Sequence, residues 1–135
     1  MSVLARTNGW LPRLNAFFHE HADTPFAWGS HDCVTFAASA IEVQTGRRIW
    51  APDWKNEDEA VRLAVSLRGL EAAASAVLGP PISNWRLARI GDVCLVRSEG
   101  KPALAVCTGQ TLAGPGPKGL NHLPLDAAEK VWRVG

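Results

Sequence analysis

The residues of this chain that could do covalent or acid–base chemistry crowd into one short stretch. Cys33 follows Asp32 directly and His31 by two positions, in Trp28-Gly29-Ser30-His31-Asp32-Cys33. The residues that come next, Val34 to Val43, are apolar on nearly every side of a helix, so they predict a buried helix with Cys33 in its first turn. Asp32 is placed to cap that helix and Gly46 to stop it. Free backbone N–H groups and the helix dipole favour a thiolate at such a position, and the same amides can stabilise an oxyanion. Nucleophilic catalysis also needs a base, normally His, oriented by a third group.

Four histidines are available. His122 is the first candidate base, provided that the Gly/Pro-rich stretch 114–119 folds over the site. His31 is the second, in the turn entering the helix. His19 and His21, near the end of an earlier helix, read as solvated or capping residues. Each of these residues also has a plainer reading. A free Cys in a helix is commonly a small core residue. Asp32 can be a cap and nothing more, and its charge opposes a thiolate.

The cysteines Cys33, Cys94 and Cys107 are odd in number and contain no C-x-x-C pair, so neither a disulfide framework nor a zinc site is expected. Cys94 and Cys107 fall at apolar positions of predicted strands and read as core. No cofactor or metal is expected. The formal net charge is +1, which argues against a nucleic-acid or anionic-membrane partner. The first fifteen residues lack a continuous apolar stretch, so a signal peptide is not expected, and no apolar run reaches transmembrane length. The expectation is synthesis in the cytoplasm without membrane insertion. The six tryptophans, in a chain without tyrosine, are expected to pack core and rim.

The elements that must position Cys33 are legible as helices first and strands second. Leu11, Leu14, Phe17 and Phe18 form an apolar stripe from Trp10 to His19. Asn56 to Arg68 predicts an exposed amphipathic helix with a capping box, and Leu70 to Leu78 an Ala-rich one. Strands are predicted at 91–97, 103–108, 110–113, 120–123 and 131–134, with 114–119 as a loop. One α+β domain spanning 1–135, with its helices packed on a C-terminal antiparallel sheet, is the expectation.

The stretch Phe26 to Ala37, with its W-G-x-x-D-C-x-x-F-A core, resembles the nucleophile region of NlpC-like cell-wall peptidases, which have a papain-like fold. Gly91-Asp92-Val93 is similar to the start of that family's first sheet strand, and Trp132-Arg133-Val134 to its close. From Trp10 to Val134 the chain resembles small NlpC-like proteins of phage and prophage tail modules. The resemblance implies Cys33 as nucleophile, a His opening the second strand and a third polar residue on the next. Those positions align with Ala103 and Ala113, neither of which can act as a base. It therefore implies a tail-tip or baseplate component of the virion with an incomplete triad, in contact with other tail-tip or hub proteins and with host peptidoglycan. The competing reading is an active cysteine peptidase cleaving peptidoglycan peptides during phage entry.

Overall fold

The computed structural model describes residues 5–50, 56–59, 69–98 and 100–135. Three helices, α1 (Trp10–Glu20), α2 (Cys33–Thr45) and α3 (Leu70–Leu78), precede five strands. The strands are β1 (Val93–Ser98), β2 (Lys101–Cys107), β3 (Leu112–Gly116), β4 (Gly119–Leu123) and β5 (Lys130–Trp132). All pair antiparallel in the order β4-β3-β2-β1-β5. The architecture is α+β, and no helix among the described residues is long and apolar enough to cross a membrane. Residues 57–59 are helical and Glu59 N–H donates to Asn56 Oδ1 at 3.0 Å, so Asn56 caps this helix as predicted. The rest of that predicted helix, and Trp54, lie outside the described residues.

Helix α2 is central because its sequence leaves it only a narrow polar stripe, Thr35, Ser39 and Glu42. Val34, Phe36, Ala37, Ala38, Ala40 and Ile41 are all buried. Together with Leu14 and Phe17 of α1, all of these but Ala38 meet one face of the sheet, formed by Val93, Leu95, Leu104, Val106 and Trp132. The alternate residues Cys94, Val96, Ala105, Cys107, Leu112 and Val131 form a second cluster on the opposite face. That face is covered by Ile82, Leu125 and Trp85, the last in a short 3-10 turn. Cys94 and Cys107 are thus core residues, as their strand positions predict.

Both ends of α2 are anchored by buried polar groups. At its C-terminus Gly46 adopts the left-handed conformation (φ 75°). One turn earlier, the fully buried Gln44 donates to the carbonyls of Ala40 and Gly91, each at 3.0 Å, and accepts from Arg6 Nε at 2.9 Å. Gly91 has φ 93°, and a Cβ there would lie 2.2 Å from Gln44 Oε1, so both conformation and space demand glycine. The adjacent Asp92, also fully buried, accepts from the N–H groups of Arg89 and Val134 and pairs with Arg133 Nε at 3.2 Å. The Gly91-Asp92 pair therefore ties the entry of β1 to α2 and to the chain's last residues.

The stretch 114–119 differs from the predicted loop. Gly114-Pro115-Gly116 continues β3, Gly119 opens β4, and Pro117-Lys118 alone makes the turn. Proline is tolerated inside this strand because the β2–β3 ladder ends at Ala113, leaving no partner on that side that would need an N–H from Pro115. The Gly116 carbonyl instead accepts from Phe26 N–H at 2.8 Å, binding the hairpin to the segment that leads to Cys33.

Replacing Ile41 with Asp puts an unpaired charge at a fully enclosed site between α2 and the sheet. The expected cost is roughly 3–5 kcal/mol, a large share of a domain's stability. It is measured as a lower midpoint in thermal or denaturant unfolding, and an unchanged midpoint would place Ile41 outside the core.

Candidate functional site

The turn before Cys33 is built around one carboxylate. Asp32 is fully buried. Its Oδ1 accepts from the N–H groups of Val34 (3.0 Å) and Thr35 (2.9 Å), and its Oδ2 from Gly29 N–H (2.9 Å). Thr35 Oγ1 accepts in return from Asp32 N–H at 2.8 Å, completing a capping box. Gly29, at φ 83°, makes the tight reversal that lets Ala27 and His31 exchange backbone hydrogen bonds of 3.1 and 2.7 Å. Asp32 is therefore the predicted cap and also the centre of the turn.

Cys33 sits at the first helical position and packs against the cluster between α2 and the sheet. The residue is half-buried, but its thiol is enclosed. Burial is the largest influence and raises the thiol from 9.0 to about 11, with the Asp32 carboxylate adding to the rise. The N–H groups of Leu104, Cys33 and Val34 pull the other way and are outweighed. The helix terminus does favour the thiolate, as its position predicts, but at neutral pH Cys33 is a thiol. An unfolded chain releases this proton near pH 9.0 and the folded one near 11, so this group's contribution to stability falls as pH rises through that window.

The register places the other candidates away from the thiol. Ala103, aligned with the family's His, belongs to the cluster on the far face of the sheet. The strand alternates sides, so Leu104 is the residue facing α2, and its amide meets Cys33. Neither Ala103 nor Leu104 has a titratable group, so this part of β2 offers the thiol no base on either face. Ala113 is fully buried and pairs with Val106 on one side and His122 on the other.

His122 thus stands in the Val106 row, two residues along from Leu104 and two strands across. Those steps put its backbone ~10 Å across and ~7 Å along from Leu104 by ordinary sheet spacings. It is exposed, and its Nδ1 is 2.7 Å from Thr111 Oγ1. The Gly/Pro stretch that was to carry it over the site is a hairpin within the sheet. His31, the second candidate, is turned toward α1. Its ring stacks on His21 with centroids 4.9 Å apart and meets Phe36 edge-on at 5.7 Å. Among the described residues no imidazole nitrogen hydrogen-bonds to Cys33, and no group of three or more His, Cys, Asp or Glu could hold a metal ion.

One arrangement was not legible in the sequence. His21 was expected to be a solvated or capping residue. Its backbone does follow the last turn of α1, but its ring is wedged between Phe17 and His31. The ten-residue separation of the two histidines carries no periodic signal, since an irregular segment joins them.

The chain belongs to the family described as Domain of unknown function (DUF6950), whose model matches residues 5–134. No curated protein matches it.

Substituting Asp32→Asn removes the carboxylate charge that opposes ionisation while keeping an oxygen to cap the helix. The thiol of Cys33 is expected to fall below about 11, and alkylation of Cys33 by iodoacetamide at pH 8 to quicken several-fold. Peptide mass spectrometry reads the rate. Unchanged protection of Cys94 and Cys107 marks an intact core, and an unaltered Cys33 rate would mean that the Asp32 charge does not govern the thiol.

Proposed function

We propose that this chain is a phage or prophage tail-tip component, built on an NlpC-like variant of the papain-like fold, that acts as an assembly module without hydrolysing peptidoglycan. The observation that carries the reading is the state of Cys33. It keeps the nucleophile's place at the head of a central helix, yet burial and Asp32 hold it protonated, and backbone surrounds it where an imidazole would be needed. A thiol peptidase needs a thiolate and a proton donor for the leaving amine, and loss of a positioned acid–base group typically costs 10²–10⁴-fold in rate. Leu104, Ala103 and Ala113 supply neither.

The order of elements supports the NlpC-like assignment: a Cys-headed buried helix followed by an antiparallel sheet whose second strand meets it. The tail assignment rests on the resemblance of the Trp28-to-Ala37 segment and the order of elements behind it. An assembly role is supported by the exposed indole of Trp28, set edge-on against Phe26 at 4.7 Å beside the head of α2, because tryptophan is a frequent anchor of protein interfaces. Other tail-tip or hub proteins are the proposed partners.

Purified protein incubated with cell-wall fragments is expected to release no peptide amines beyond a Cys33→Ser control. Release that disappears in Cys33→Ser would establish the peptidase reading instead, and its further loss in His122→Ala would identify the base. The tail assignment is tested separately. Particles purified from a strain producing the tagged chain should carry it in stoichiometric amount, and its absence from intact virions would reject that assignment.

A further inference from the structure

The segment 22–30 leaves α1 and returns to α2, and its two ends meet through His21 and His31. His31 is only 8% exposed. Its ring lies against His21 at 28° between planes, with Phe17 edge-on to His21 at 4.8 Å and Phe36 edge-on to His31. His31 Nε2 and His21 Nδ1 are both buried without a hydrogen-bond partner. A neutral imidazole tolerates one bare nitrogen at modest cost. A proton added there creates a buried N–H with no acceptor and, if both rings take one, two like charges in contact.

We propose that the stacked His21–His31 pair is an acid-labile clasp that holds the loop 22–30 closed near neutral pH and releases it on protonation, uncovering the head of α2. The loop is otherwise attached by single hydrogen bonds, Phe26 N–H to the Gly116 carbonyl, Leu120 N–H to the Ala22 carbonyl and Gly29 N–H to Asp32 Oδ2, and by the Ala27–His31 bridge. It carries the exposed Trp28, so release would move the indole offered to a partner.

The charges around the pair set the direction. Desolvation is the largest influence and lowers His31 below 6.5; His21 adds to the lowering and Asp32 opposes it. The Asp32 carboxylate is engaged by three backbone N–H groups, which limits that opposition. From α1 and the turn after it, Glu20 and Asp23 flank His21 in the chain and are exposed, as is His19. From the sheet, exposed Lys118 lies in the hairpin whose Gly119 approaches Ala22. Cys33 on α2 is uncharged in this range. A folded-state His below its unfolded value stabilises the closed form above about pH 6.5, and that contribution is lost as pH falls through the folded value.

The test is amide hydrogen exchange of the full chain at pH 7.5 and 5.0, corrected for intrinsic exchange rates. Opening at the Phe26, Ala27 and His31 amides is expected to rise about tenfold at pH 5.0, while the Ala40 and Ile41 amides in α2 hold their protection. In His21→Phe/His31→Phe, which keeps two stacked rings and removes both titrations, the rise should vanish. A flat wild-type profile, or a rise that persists in the double variant, would overturn the clasp. If the double variant does not fold, NMR titration of the wild-type imidazoles decides. Opening that tracks the His31 titration upholds the proposal, and opening that does not track it rejects it. Both readouts are independent of any hydrolase or assembly assay.

Discussion

The carboxylate of Asp32, enclosed in protein and accepting three backbone N–H groups, is the contact on which the rest of this architecture turns. It fixes the reversal at Gly29, starts α2 and sets Cys33 at the first helical position. A buried carboxylate is sustainable only where donors replace its lost hydration, and a helix N-terminus supplies both those donors and a favourable dipole. The same charge then acts on the neighbouring thiol. The residue that puts Cys33 in a nucleophile's place also keeps it from becoming a nucleophile. In a site with an imidazolium across the cleft this opposition would be offset, but here the facing strand offers the Leu104 amide alone.

At the opposite end of α2 the logic repeats with a neutral group. Gln44 is as enclosed as Asp32 and links the helix to Gly91 at the entry of β1, while Arg6 reaches both Gln44 and the Ile90 carbonyl and lies over the Trp10 ring at 3.8 Å. The helix between these two anchors meets the sheet by apolar contact, while Ser39 and Glu42 on its outer side meet Arg48. Its position relative to the sheet is therefore set at the ends by directional bonds and in the middle by packing. Apolar contact alone leaves a helix able to slide along a sheet, whereas bonds at both ends fix its height. That height is what brings Cys33 level with Leu104, in the middle of β2.

The sequence carried much of this because the relevant signals are local. The all-round apolar run after Cys33, the Asp32 cap, the Gly46 stop and the Leu70–Leu78 helix are short-range features, and each forms where its residues place it. Two kinds of feature escaped. One is register: strand alternation fixes which residues share a face, but a one-residue shift exchanges the faces, so the sequence alone does not tell whether Ala103 or Leu104 meets Cys33. The other is irregular backbone. Gly114-Pro115-Gly116 has loop composition and nonetheless forms a strand, because the ladder on one side has already ended and Phe26 uses the Gly116 carbonyl. The His21–His31 contact is of the same kind, set by where a loop closes, which no periodicity records.

Retention of Cys33 does not by itself require catalysis. Cys33 packs against the apolar cluster that holds Val34, Ala37 and Leu104, and a thiol suits such surroundings with less desolvation than a hydroxyl. The environment favours the protonated form, and the protonated form is the one that packs. An active peptidase would need the reverse: an opening to solvent, a cation within reach and a carboxylate directed elsewhere. Converting one state into the other takes more than restoring a histidine on β2. That side chain would have to replace Leu104, because position 103 faces away from α2, and it would then have to fit against Cys33 inside a core that now holds leucine. The lack of a base beside Cys33 among the described residues and the closed packing around it therefore sustain each other.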